Sequence, residues 1–218
     1  MSQAHTHAQT LSRIVARAPV IPVIIIDNLD DAVPLARALV AGGLPVLEVT
    51  LRTQVALEAI KRILAECPEA VVGAGTILTP ADLQMVAAAG AAFAVSPGAT
   101  DALLDAARTA PIPLLPGIAT ASEAMRLLAH DFTYAKLFPA EACGGIKLLK
   151  SLYSPLPQLR FCPTGGITQA LAADYLALPN VVCVGGSWML PAAAIAAGDW
   201  AAITAAARLA ARLSSPRS

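Results

Sequence analysis

The segment YAKLFPAEACGG, residues 134–145, sets a lysine among apolar side chains. Of the 15 lysines and arginines in the chain, only four are lysines: Lys61, Lys136, Lys147 and Lys150. Where charge alone is needed, this sequence uses arginine. A lysine flanked by Tyr134, Ala135, Leu137 and Phe138 therefore points to a task that a guanidinium cannot perform. An amine can shed its proton, attack a ketone and form a Schiff base, whereas arginine stays protonated. Burial helps, because an apolar site disfavours the charged ammonium. A second ionisable side chain, Glu48, lies in the apolar segment PVLEVTLRT. Side chains alternate along a strand, so Val46, Glu48, Thr50 and Arg52 share one face and Leu47, Val49 and Leu51 the other. Tyr134, Lys136 and Phe138 share a face in the same way. The plainer alternative is a structural ion pair, of Glu48 with Arg52 or with Lys136. Buried pairs are seldom better than apolar packing, which makes a purely structural lysine the less economical account. Lys61, Lys147 and Lys150 fall in amphipathic helical segments and read as solvated.

Two glycine pairs accompany these charges, in CPTGGIT (Gly165, Gly166) and in VGGSW (Gly185, Gly186). Paired glycines let backbone N–H groups approach an anion, above all where a helix begins. A single pair is usually only a turn. Two pairs, followed by Thr168 and Ser187, form a candidate phosphate cradle. GAGT and SPG put Thr76 and Pro97 at the ends of two further apolar runs. An amine, a carboxylate, a guanidinium and a phosphate cradle suit covalent imine chemistry on a phosphorylated keto acid. No metal-ligand set is evident: the histidines are His5, His7 and His130, and two of these fall in a polar N-terminal stretch.

Eight short apolar runs must carry these residues: VIPVIII, PVLEVTL, AVVGAG, AAFAVSP, IPLLPG, FTYAKLF, LRFCPTGG and NVVCVGG. Their centres lie roughly 20–25 residues apart, the spacing of repeated βα units. Between them, DDAVPLARALVAGG, TQVALEAIKRILAEC and TPADLQMVAAAG carry apolar residues at helical spacing. Eight alternations predict an all-parallel sheet covered by helices, closed as a single (β/α)8 TIM barrel over residues 1–218. An additional N-terminal helix is expected near residues 8–17, preceded by a flexible tail over 1–8. A doubly wound open sheet is the alternative, weakened by the lack of G-x-G-x-x-G after the first run. In a barrel the chemistry sits at the C-terminal ends of the strands, where the residues named above fall.

Composition narrows the partners. The 218 residues are 56% apolar and 14% charged, which leaves little room for disorder. Net charge is zero and aromatics are 4%, which argues against nucleic acid. Four cysteines without C-x-x-C spacing read as free thiols of a cytoplasmic protein. PVIPVIII is too short, and too soon interrupted by DNLDD, to read as a signal peptide. Residues 175–198 carry no charge, but Pro179, Asn180, Gly185, Gly186 and Pro191 break the run. A buried strand, a turn and an alanine-rich helix are expected there, and no membrane span.

The motifs GLPVLEVTLR, VGAGT, AVSPG, KLFPAEACGG, FCPTGG and VGGSW, in this order, closely resemble the KDPG/KHG aldolase family over roughly residues 19–213. The resemblance implies a (β/α)8 barrel, a homotrimer, and class I cleavage of 2-keto-3-deoxy-6-phosphogluconate to pyruvate and glyceraldehyde 3-phosphate without a metal or other cofactor. It implies Lys136 as the Schiff-base lysine and Glu48 as general acid/base. Arg52 and Thr76 would bind the keto-acid carboxylate, and Pro97 and Phe138 would shape the pocket. Gly165, Gly166, Gly186 and Ser187 would hold the phosphate, with Thr164 near the hydroxyls. One departure is Ala135, where the family carries a bulkier residue; by alternation it faces the helices. The same lysine would serve an aldolase acting mainly on 4-hydroxy-2-oxoglutarate or on the 6-phosphogalactonate epimer. A phosphate-binding isomerase or epimerase, with Glu48 as a simple base, and a non-catalytic phosphosugar-binding module are readings from other classes.

Overall fold

The structure, a computed structural model, describes residues 3–213. After helix α1 (Gln3–Val15), strands and helices alternate: β1 (Val20–Ile24), α2 (Ala32–Ala41), β2 (Val46–Thr50), α3 (Ala56–Glu66), β3 (Val71–Gly75), α4 (Pro80–Ala88), β4 (Phe93–Val95) and α5 (Asp101–Thr109). Then come β5 (Leu114–Leu115), β6 (Gly117–Ile118), α6 (Ala121–Ala129), β7 (Tyr134–Leu137), α7 (Gly145–Tyr153), β8 (Arg160–Pro163), α8 (Gln169–Leu176), β9 (Val184–Gly186), α9 (Ala192–Ala196) and α10 (Trp200–Ala211). Each apolar run contains a strand. Local chemistry sets several helix starts. The Thr79 and Thr120 hydroxyls accept from the N–H groups of Asp82 and Glu123, whose carboxylates reach back to the cap backbone. Gly43 and Gly90 follow α2 and α4 with φ of +92° and +91°.

All strand pairs are parallel. They form a six-stranded sheet, β5-β4-β3-β2-β1-β9, and a three-stranded sheet, β6-β7-β8. The fold is thus α/β with parallel sheets, and the single eight-stranded ladder expected from the sequence is divided. Two local features divide it. Pro116 separates β5 from β6 and has no N–H to donate. Its carbonyl still accepts from Lys136 N at 2.8 Å, while Leu115 O accepts from Ser96 N at 3.2 Å. At the other junction β8 meets residues 181–185 only through the bridges Phe161↔Val181 and Thr164↔Gly185. Three steps along β8 match four along its partner, so an extra residue interrupts the ladder as a bulge does.

Two apolar clusters lie on opposite faces of the strands. The larger packs Leu47, Val49, Val72, Ala74, Ala135 and Leu137 against the helices. The small Ala135 is fully buried there, away from the site. The smaller cluster joins Ile21, Val46, Phe93, Val95, Leu115, Cys162 and Cys183 to Leu11, Ile14 and Val15 of α1. This corrects the expected tail: the chain is helical from Gln3, and His7 is buried. The reason lies in Leu11, Ile14 and Val15, whose helical spacing makes one apolar stripe. Burying each contributes about 2 kcal/mol, enough to hold the helix across the N-terminal ends of the strands. His5 falls where no side chain is described.

Candidate active site

Strands β2 and β7 lie on different sheets, yet their inward charges meet. Lys136 Nζ donates to Glu48 Oε1 at 3.0 Å. Both residues are buried, 4% and 3% exposed, with the smaller apolar cluster beneath them. Of the two structural pairings weighed, Glu48 thus contacts Lys136 and not Arg52. Arg52 is exposed at the rim, where its Nε donates to Thr76 Oγ1 at 3.3 Å. Thr76 takes up the left-handed region, φ +64°, directly after β3. Phe138 follows β7, and its ring centroid is 5.3 Å from Lys136 Nζ, within reach of a cation–π contact.

Below the pair the interior is closed. The Cys183 thiol is pushed well above its usual range, first by its hydrogen bond with Cys162 and next by burial. A thiol held protonated makes an uncharged, unreactive floor.

Above the pair opens a cavity of about 150 Å³. Of the expected site residues, Arg52, Lys136, Phe138, Thr164, Gly165, Gly166, Gly186 and Ser187 line it. Glu48 reaches it through Lys136, and Thr76 through Arg52. Pro97 stands one strand away: its carbonyl packs on Gly117, the residue paired with Lys136 across β6 and β7. The other lysines are exposed on α3 and α7, as expected.

The glycine loops differ from each other. Gly165 and Gly166 have φ of +103° and +78° and lie just before Thr168, which caps α8. Such backbone favours glycine. Gly186 has another reason: a β-carbon there would overlap the Trp188 indole. Ser187 does not open a helix. It starts a turn closed by Leu190 N on its carbonyl, at 2.9 Å.

Two further lining residues, Val23 and Ile167, were not singled out from sequence, and Gly185 entered only as half of a glycine pair without a role of its own. Gly185 leaves room for Thr164, whose side chain a β-carbon would strike. Its place beside Gly186 was the available signal. Val23 and Ile167 carry no chemical signal, being two aliphatic residues in an aliphatic chain.

The profile of the family described as KDPG and KHG aldolase matches residues 11–206. The KHG/KDPG aldolase of Escherichia coli K12 is 55% identical over 195 residues, covering 89% of this chain and 92% of that one. The 2-dehydro-3-deoxy-phosphogluconate aldolase of Dickeya dadantii is 54% identical over 90% and 92% of the two chains. Among solved structures, a KDPG aldolase from Legionella pneumophila, with pyruvate captured as a covalent carbinolamine intermediate, superposes with a TM-score of 0.90 at 49% identity, over 92% and 97% of the chains. The KDPG aldolase of Zymomonas mobilis ZM4 with 3-phosphoglycerate also gives 0.90, at 48% identity over 96% and 98%. By profile, by identity over nearly its whole length and by fold, the chain belongs to the KDPG and KHG aldolase family.

Proposed function

We propose that this chain is a class I aldolase that cleaves 2-keto-3-deoxy-6-phosphogluconate to pyruvate and glyceraldehyde 3-phosphate through an imine on Lys136. The observation that carries the proposal is the buried 3.0 Å contact between Lys136 Nζ and Glu48 Oε1. Passing one proton across it converts an ion pair into a neutral amine and a carboxylic acid. Both forms leave the net buried charge at zero, so the nucleophile is released without exposing an unpaired charge.

The neutral amine attacks the C2 ketone, and Glu48 donates a proton to the departing hydroxyl as the carbinolamine becomes an iminium. The iminium draws electrons from the C3–C4 bond. Glu48, now a carboxylate, takes the C4 hydroxyl proton, directly or through water. The bond breaks, and the aldehyde leaves with the phosphate. The enamine is then protonated at C3, water adds to C2, and pyruvate departs as the amine is regenerated. Arg52 and Thr76 hold the substrate carboxylate by a charge-assisted fork. Pro97 and Phe138 bound the pocket and Thr164 meets the hydroxyls. Gly165, Gly166, Gly186 and Ser187 hold the phosphate. The chemistry asks for no metal.

The same reading takes the two sheets as one closed eight-stranded barrel. Support comes from the continuous segment from β5 to β6 and the bridges from β8 to residues 181–185. A homotrimer follows from the family resemblance alone. The cytoplasm follows from free thiols, three of which are buried.

A second substrate, 4-hydroxy-2-oxoglutarate, is favoured by the E. coli relative, which is named for both. It needs the same lysine and places a carboxylate where the phosphate would lie. Borohydride reduction in the presence of pyruvate, followed by peptide mass mapping, tests the reading. A stable adduct on the peptide containing Lys136 is expected. A labelled Lys61, Lys147 or Lys150 instead, or none at all, would refute it.

A further inference from the structure

The Gly165–Gly166 loop has a carboxylate for a neighbour. Glu141 follows β7, and a β-carbon on Gly166 would sit 2.8 Å from its Cβ and 2.9 Å from its Cγ. Backbone hydrogen bonds fix the contact: Ala140 N donates to Thr164 O at 2.8 Å, and Glu141 N to Gly165 O at 3.1 Å. A free carboxylate beside a cradle for phosphate would repel the ligand. In this structure it is engaged elsewhere. Tyr175 of α8, fully buried, donates its hydroxyl to Glu141 Oε1. Its pKa is driven well above the ordinary phenol range, by burial first and then by the Glu141 hydrogen bond, so the hydroxyl remains a donor. Gly145 completes the arrangement, since a β-carbon there would lie 2.6 Å from the Tyr175 hydroxyl and 2.9 Å from Glu141 Oε1.

We infer that Tyr175 is a positioning residue for phosphate recognition: its buried hydroxyl holds the Glu141 carboxylate away from the Gly165–Gly166 cradle, and so favours phosphorylated substrates. This rests on the cradle proposed above. The effect is electrostatic at short range, so it weakens as salt rises. Freeing the carboxylate beside a phosphate dianion should weaken phosphate binding roughly tenfold at low salt.

Competitive inhibition by inorganic phosphate reads the cradle with a ligand that is nothing but the phosphate. The inhibition constant is measured on the full chain for wild type, Tyr175→Phe, Glu141→Asp and the double variant Tyr175→Phe/Glu141→Gln, at about 0.01 M and about 1 M ionic strength. Glu141→Asp shortens an exposed side chain, severs the same contact and keeps the charge, so it serves if Tyr175→Phe fails to fold. Expected are weaker inhibition in both single variants, a defect that shrinks at high salt, and recovery in the double variant. Cleavage of the phosphorylated keto acid should fall with it, and cleavage of 4-hydroxy-2-oxoglutarate should fall less. If phosphate inhibits wild type and both single variants alike, or the double variant stays as weak as Tyr175→Phe, the inference is overturned while the cradle stands. Wild type insensitive to phosphate would remove the cradle, and the inference with it.

Discussion

Gly75 and Glu48 compete for one volume. Gly75 ends β3 beside β2, and a β-carbon on it would overlap Glu48 Oε1 and approach its Cγ at 2.8 Å and Cδ at 3.0 Å. Gly73, two residues earlier on the same face, leaves room for the Phe93 ring below. The alternating glycines of VVGAG thus vacate space inside the sheet, once for the core and once for the carboxylate that meets Lys136. Gly75→Ala should therefore displace Glu48 without disturbing the strand. We expect kcat to fall about 10²-fold, as small misplacements of reacting groups do, with circular dichroism unchanged. An alanine variant of near wild-type kcat would show that Glu48 needs no such space.

Lys136→Arg separates charge from nucleophilicity. The guanidinium keeps a cation opposite Glu48 and cannot form an imine under these conditions. Reductive trapping with pyruvate should vanish and turnover should fall by several orders of magnitude. Substantial residual cleavage would remove Lys136 from the role proposed for it.

Most of this site was legible because ionisable residues are costly in apolar strands and therefore conspicuous. Glu48 and Lys136 stood out by that cost, and strand alternation turned them to one face. The sequence did not show that they pair across two sheets. That depends on the placement of β2 against β7, a tertiary fact without local signature. Nor did it show that Arg52 turns to Thr76, or why each glycine is a glycine. Gly75 answers to Glu48 across two strands, and Gly186 to Trp188 two residues on, through a turn that brings the indole back over it. The eight apolar runs predicted the strands well. Pro116 inside IPLLPG was the visible sign that the fifth would be interrupted. The tail reading failed because a polar composition outweighed a three-residue apolar stripe, Leu11, Ile14 and Val15, that only pays off once a sheet end exists to cover.

Ser187 is exposed at the cavity, next to Gly186. A hydroxyl bonded to a charged phosphate contributes more than one bonded to a neutral group. Ser187→Ala should raise KM for 2-keto-3-deoxy-6-phosphogluconate about tenfold and leave KM for an unphosphorylated keto acid nearly unchanged. Equal losses on the two substrates would mean that Ser187 supports the loop and does not read the phosphate.

His7 ties acid stability to α1, which packs at the N-terminal side of the strands, opposite this chemistry. Burial pushes its imidazole below the ordinary 6.5, and a hydrogen bond to the Ala110 backbone only partly offsets this. Gln3 Nε2 donates to the same carbonyl at 2.9 Å, so α1 is pinned to the end of α5 at this point. A histidine with a depressed folded-state pKa favours folding when neutral. Its contribution is whole above the unfolded value and is lost as pH falls through 6.5 toward the folded one. Acidification should therefore loosen α1 before the strands. Hydrogen exchange on α1 amides at about pH 7.5 and about pH 5.5 would read this directly. His7→Gln should flatten the difference between the two conditions. If α1 exchanges equally at both, after correction for the intrinsic rate, the buried imidazole does not govern how the helix docks.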